Sequence, residues 1–199
     1  MSKQGTKVTV AIFSLHETAY LNEEKKENVM EMRKKEIRTA AGILGVQESK
    51  FFKIPPANAV SEPGIYKQCI GLMRKCRPQI VFTYSEGCKN RDRRNVTEIV
   101  DESCLKAGEN ILPETGKPWS TSYLYYYELP ELLMHPSDIV DITSTIESKI
   151  KAIKTQSSYF GTLQETTEYV RALARVRGHA VGIEFGEAFV LSSLTPCKH

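Results

Sequence analysis

The sequence predicts an α/β protein whose parallel strands are joined by right-handed crossover helices. Three observations predict it. Strand-like and helix-like segments alternate from Thr6 to Tyr127. The first strand-like run is almost wholly apolar from Val8 to Phe13, as in a strand buried on both faces of a parallel sheet. The helical segments carry apolar stripes at 3.6-residue spacing and end at glycine or proline.

The elements follow in order. Thr6–Phe13 is a strand, followed by a polar loop from Ser14 to about Asn28. Val29, Ile37, Ala40, Ala41 and Leu44 fall near one face of a helix that Gly45 ends as a C′ residue. Lys50–Ile54 is a short strand stopped by Pro55-Pro56. Ile65, Cys69, Leu72, Met73 and Cys76 form a second helical stripe, ended by Arg77-Pro78. Gln79–Tyr84 is a strand. Val96, Ile99, Val100, Ser103 and Ala107 mark a third helix, closed by Gly108. After a loop from Glu109 to Ser120, Tyr123–Tyr127 is strand-like, and Asp138–Ile142 is a short strand. Ser144 to Glu147 reads as a capping box that starts a helix with Ile146, Ile150 and Ile153 inward. Leu163–Arg177 is a helix with Val170, Leu173 and Ala174 apolar, and Gly178–Val190 is a glycine-punctuated strand.

Length predicts a single domain over residues 1–199. A net charge of +3 is too small to imply a nucleic-acid partner. No apolar run approaches a membrane span, and the N-terminus carries no signal-peptide core. The five cysteines are an odd number with no close C-x-x-C pair, and Cys69 and Cys76 read as core thiols. The expectation is a cytoplasmic protein with neither nucleic-acid nor membrane partner.

The segment Asn90-Arg91-Asp92-Arg93-Arg94-Asn95-Val96 concentrates the chemistry. It follows a strand and opens a helix, the place where α/β proteins bind ligands and where helix amides attract anions. Lone histidines at 16, 135, 179 and 199 show no ligand spacing, although His16 and Glu17 near Cys88 and Asp92 are a chemically possible metal set. Ser14, Ser85 and Cys88 lack a nucleophile elbow, and no phosphate-binding glycine loop is present.

Several segments together resemble the LmbE/PIG-L-type de-N-acetylases. They are Met32 to Val46, Arg77 to Thr83, Asn95-Val96-Thr97, Tyr125-Tyr126-Tyr127, Asp141 to Lys149, and Arg177-Gly178-His179 through Glu187-Ala188-Phe189. The resemblance implies a Rossmann-like, mostly parallel sheet flanked by helices, here without the family's first strand and helix. It implies a zinc-dependent enzyme that removes acetyl groups from N-acetylglucosaminyl compounds. The family's His-Pro-x-Asp segment, with two zinc ligands and an adjacent general base, precedes the strand that matches Val8–Phe13, and nothing before Lys7 could supply it. Its third ligand is the second His of His-Pro-Asp-His, and the matching residue is Arg93, a cation with no lone pair for a metal.

The expectation is therefore a degenerate homologue without hydrolase activity of its own and without a metal. It would bind a sugar-like or anionic small molecule through Arg33, Asp92, Arg93, Arg94 and Tyr127, with Arg91 beside them. Arg33 matches a family arginine that resembles a substrate contact; otherwise it is a solvated charge paired with Glu31 or Glu36. Asp92 is a weak catalytic candidate; otherwise it is a carboxylate favoured by the helix dipole. The alternative function is an active carbohydrate de-N-acetylase whose metal-binding segment comes from another chain or a longer gene product. An unpaired edge on Val8–Phe13 further predicts a homo-oligomer or a strand-supplying protein partner.

Overall fold

The computed structural model describes residues 1–15, 28–52, 63–85, 87–129, 131–158 and 163–194. His16, Glu17, Cys197, His199 and the Lys53–Pro56 strand end lie outside these residues. The chain forms two compact units: Met1–Pro56 with Val140–Glu187, and Ala57–Ile139 with Ala188–His199.

In the first unit, β1 (Thr9–Ile12), α1 (Val29–Leu44) and β2 (Glu48–Phe51) form a strand–helix–strand whose strands pair in parallel, Thr9 opposite Glu48. Gly45 ends α1 at φ 68, the left-handed conformation expected of a C′ glycine. Leu44 is exposed, and Val29 and Arg33 supply the buried face instead. β1 is shorter than Thr6–Phe13 and is not buried on both faces, with Val10 38% exposed. The reason is topological. Among the described residues β2 is its only strand partner, so the apolar run that reads as a central strand stands at an edge.

Two further helices, α4 (Ile146–Lys154) and α5 (Leu163–His179), enclose a core of Ile142, Ile146, Ile150, Val170, Ala174 and Phe185. The capping box does not form. Thr145 is the N-cap, and its hydroxyl donates back to the Ile142 carbonyl at 3.2 Å. Gly178 does not open a strand; it lies inside α5. A β-carbon there would stand 2.8 Å from the Ile183 carbonyl oxygen, so the glycine lets the chain fold back over the helix end.

The second unit contains α2 (Pro63–Cys76), β3 (Ile80–Tyr84), α3 (Arg91–Ala107) and β4 (Tyr123–Tyr127). The division between units falls within β5 (Asp138–Asp141) and β6 (Gly186–Leu191). The sheet runs β3-β4-β6-β5, parallel at β3–β4 and antiparallel at β4–β6. Thr83, Leu124, Tyr126 and Ala188 are its buried side. There the Tyr126 hydroxyl donates to Asp101 Oδ2 at 3.0 Å and lies 2.9 Å from Ser192 Oγ. The α2 stripe is buried as its spacing predicts at Ile65, Cys69 and Met73.

Arg74, next in the chain, is 4% exposed. Its guanidinium donates to the carbonyls of Lys106, Ala107, Glu109, Ile111, Leu112 and Gly116 and to Thr115 Oγ1. One side chain thereby organises the loop after α3. No helix among the described residues is long and apolar enough to cross a membrane.

Candidate functional site

In the second unit the carboxyl end of β3 meets the amino end of α3. A tight turn joins them, with the Cys88 amide donating to the Ser85 carbonyl at 3.1 Å. Asn90 is the N-cap, and its side-chain oxygen accepts the Arg93 N–H at 3.1 Å. Thr97 Oγ1 lies 3.0 Å from the Tyr84 carbonyl and 3.1 Å from that of Arg93, which pins the strand end to the first turn of the helix.

The arginines of this segment take three different environments. Arg91 is exposed. Arg94 wraps back on the turn, its Nη1 donating to the carbonyls of Cys88 at 2.8 Å and Lys89 at 2.7 Å. Arg93 places its guanidinium over the Tyr84 ring, 5.5 Å from the centroid. Tyr84 in turn meets Tyr127 edge-on, with centroids 5.0 Å apart. Burial, reinforced by Tyr84, pushes the Tyr127 hydroxyl far above its usual range, so it is a neutral donor near pH 7. Asp92 lies half-buried in the first turn of α3, where the helix dipole favours a carboxylate.

Arg93, Tyr84 and Tyr127 therefore form one cluster, with Asp92 and Arg94 on the same helix end. Arg33 belongs to the first unit, and the solvated setting expected as its alternative is not found. It is 5% exposed, so it is not a solvated charge. Its guanidinium donates to the backbone carbonyls of Leu15 at 2.7 Å and Ser158 at 3.2 Å. Glu31 pairs instead with Lys34 at 2.6 Å, and Glu36 accepts from Ser157 and Ser158.

Sequence reasoning missed Tyr84 and Glu131. Tyr84 had a positional signal, as the last residue of the strand that feeds the site. Glu131 had none, because its carboxylate comes from 42 residues away to accept the Lys89 amide at 2.9 Å. The Lys89 N–H, then the Cys88 thiol and the Arg93 guanidinium, hold the Glu131 carboxyl below the usual glutamate range, against partial burial. The chain thus places one of its own carboxylates at the amino end of α3.

The described residues at this junction are not a zinc donor set. Asn90 is committed to its cap, Arg93 has no lone pair, and no group of three His, Cys, Asp or Glu residues comes together among the described residues. Cysteine nucleophiles are equally unsupported in the core. Burial pushes Cys69 up to about 11 and Cys104 up to about 12, so neither is a thiolate near neutrality.

Residues 1–104 match the GlcNAc-PI de-N-acetylase (PIG-L) family. The chain belongs to that family. The PIG-L fold extends over the remainder. The N,N'-diacetylchitobiose deacetylase from Pyrococcus horikoshii is 23% identical, with 97% of this chain and 75% of that one covered at a TM-score of 0.85. The conserved protein TT1542 from Thermus thermophilus is 22% identical, with 99% and 86% covered and a TM-score of 0.83. GalB, the 4-carboxy-2-hydroxymuconate hydratase from Pseudomonas putida, is 21% identical, with 100% and 89% covered and a TM-score of 0.82. A deacetylase and a hydratase on one backbone show that the reaction of a PIG-L-fold chain is decided by its site residues.

Proposed function

We propose that this PIG-L-family chain binds a sugar-like or anionic small molecule at the Arg93–Tyr84–Tyr127 cluster and does not itself carry out metal-dependent amide hydrolysis. One observation carries the reading. At the residue matched to the family's third metal ligand stands Arg93, whose guanidinium lies over the Tyr84 ring. A fixed cation there opposes a second cation and provides what a carboxylate, phosphate or polarised hydroxyl needs. The tyrosine rings add flat apolar surface for a sugar ring, and Tyr127 adds a neutral hydroxyl. Glu131 competes with an anion at this helix end, because its carboxylate already accepts the Lys89 amide.

Calorimetric titration with N-acetylglucosamine and glucosamine 6-phosphate tests this. Saturable binding that falls at least tenfold in Arg93→Ala, with thermal unfolding unchanged, is expected. Equal affinity in the variant removes the reading.

A second reading is favoured by the edge position of β1, where Val10 stands exposed beside an unpaired strand edge among the described residues. In that reading the deacetylase activity of the family is completed by a metal-binding strand from another chain or a longer gene product. Arg93 weighs against it, since a supplied strand leaves the third ligand position cationic.

A further inference from the structure

The connection from β4 to β5 holds large apolar side chains out in solvent. Leu129 is 43% exposed, Leu132 54% and Met134 79%, and Met134 is the most exposed large apolar side chain among the described residues. Leu133, between the last two, is 8% exposed and anchors the loop. The backbone around it is tied down. Glu128 Oε1 accepts the Leu133 N–H at 2.7 Å, and Glu131 Oε1 accepts the Lys89 N–H at 2.9 Å. At the β5 end the Ser137 N–H donates to the Phe189 carbonyl at 2.9 Å. The open side chains therefore belong to a fixed loop and not to an unpacked one. The same spot is basic. Lys89, whose amide Glu131 holds, and Arg91 are both exposed, and Asp92 beside them is half-buried. The loop's own two carboxylates, Glu128 and Glu131, are committed to amides.

We propose that this loop docks the protein on the surface of an anionic lipid bilayer. Leu129, Leu132 and Met134 enter the boundary between headgroups and acyl chains, and Lys89 and Arg91 meet the lipid phosphates. The inference concerns where the protein sits and does not depend on a ligand at Arg93. Three arguments select a bilayer. The three apolar side chains expose on the order of 300 Å², less than half of the roughly 800 Å² that each partner of a stable protein interface contributes. A bilayer needs no matching surface, since a few apolar side chains at interface depth beside basic charge suffice. The charge is complementary, because lysine and arginine at the foot of the loop are drawn to the negative surface of anionic lipid. Finally, the loop is already ordered by its hydrogen bonds, so insertion does not have to fix it. Such a contact needs no spanning helix. Composition, which predicts no membrane partner, averages over the whole chain and does not register three side chains gathered by one loop.

The test is co-sedimentation of the full chain with vesicles of phosphatidylcholine alone and of phosphatidylcholine mixed with phosphatidylglycerol. Expected is binding to the anionic vesicles that weakens with salt and is about tenfold or more weaker on the neutral ones. Combining Leu132→Asp with Met134→Asp is expected to abolish it, and combining Lys89→Gln with Arg91→Gln to weaken it about tenfold. Val176→Asp changes a comparably exposed apolar side chain on α5, 64% open, and is expected to leave binding unchanged. All these positions are solvent-facing, and unchanged circular dichroism of the free variants certifies their fold. Four results overturn the proposal. One is no binding to either kind of vesicle. Another is equal binding to both kinds. A third is binding undiminished by the Leu132 and Met134 substitutions, or reduced as much by Val176→Asp. The fourth is light scattering that shows a dimer dissociated by Met134→Asp, which assigns the loop to a second copy.

Discussion

The guanidinium of Arg93 lies over the end of β3, 5.5 Å from the Tyr84 ring centroid, and Tyr84 rests edge-on against Tyr127. The cation is held by the strand that precedes the helix and not by the helix alone. A double-mutant cycle of Arg93→Ala and Tyr84→Leu is expected to give a coupling of about 0.5–1 kcal/mol in urea unfolding. Additive effects of the two substitutions would show that the ring does not position the cation.

Arg74 is a buried charge that holds a whole loop, so its removal is costly. Arg74→Met keeps the volume but leaves carbonyls of the Lys106–Gly116 loop without donors, some of them buried with it. The expected loss is about 3 kcal/mol or more, read as a lower urea midpoint. Arg74→Lys restores less than half of it, because an ammonium lacks the planar fork that reaches several carbonyls at once. Full recovery with lysine would show that charge alone matters.

The Glu131 contact makes the site acid-sensitive. Its carboxyl is held below the ordinary glutamate range in the folded chain, chiefly by the Lys89 N–H. The folded group therefore ionises at lower pH than the unfolded one. The contact's stabilisation is present above the unfolded value and is lost as pH falls through the folded one. The protection of the Lys89 amide, its slowing of exchange relative to the intrinsic rate at each pH, is expected to fall in that acid window in the native chain. In Glu131→Gln it would be low throughout and free of that step. A native Lys89 amide indifferent to acid would remove the contact.

Gly178→Ala tests the end of α5. The added methyl meets the Ile183 carbonyl oxygen at 2.8 Å, so the turn that leads into β6 must shift. A loss of about 1–3 kcal/mol is expected in thermal unfolding, despite alanine's better helix propensity. A stabilised variant would mean that the chain leaves α5 by another path.

Much of the architecture is legible in the sequence because it is local. The stripe of Ile65, Cys69 and Met73, the Gly45 stop and the inward Ile146 and Ile150 each depend on spacing within one element. What is not legible depends on distant acceptors. Arg33 sits among charged neighbours and reads as a substrate contact or a solvated charge, but its partner Ser158 lies 125 residues away. Arg74 sits in a basic run, but its acceptors begin 32 residues on. An apolar run such as Val8–Phe13 reads as a central strand, and only pairing reveals an edge. At the site, the strand-to-helix junction and Arg93 were readable, whereas Glu131 arrives from a loop with no motif to announce it.

Zinc stoichiometry of the purified chain, dialysed against zinc and then against buffer and measured by elemental analysis, tests the cationic site most directly. With Arg93 at the matched ligand position, well under one zinc per chain is predicted, unchanged by Asp92→Asn. One tightly held zinc per chain, lost in Asp92→Asn, would contradict it and place a working metal centre at the amino end of α3.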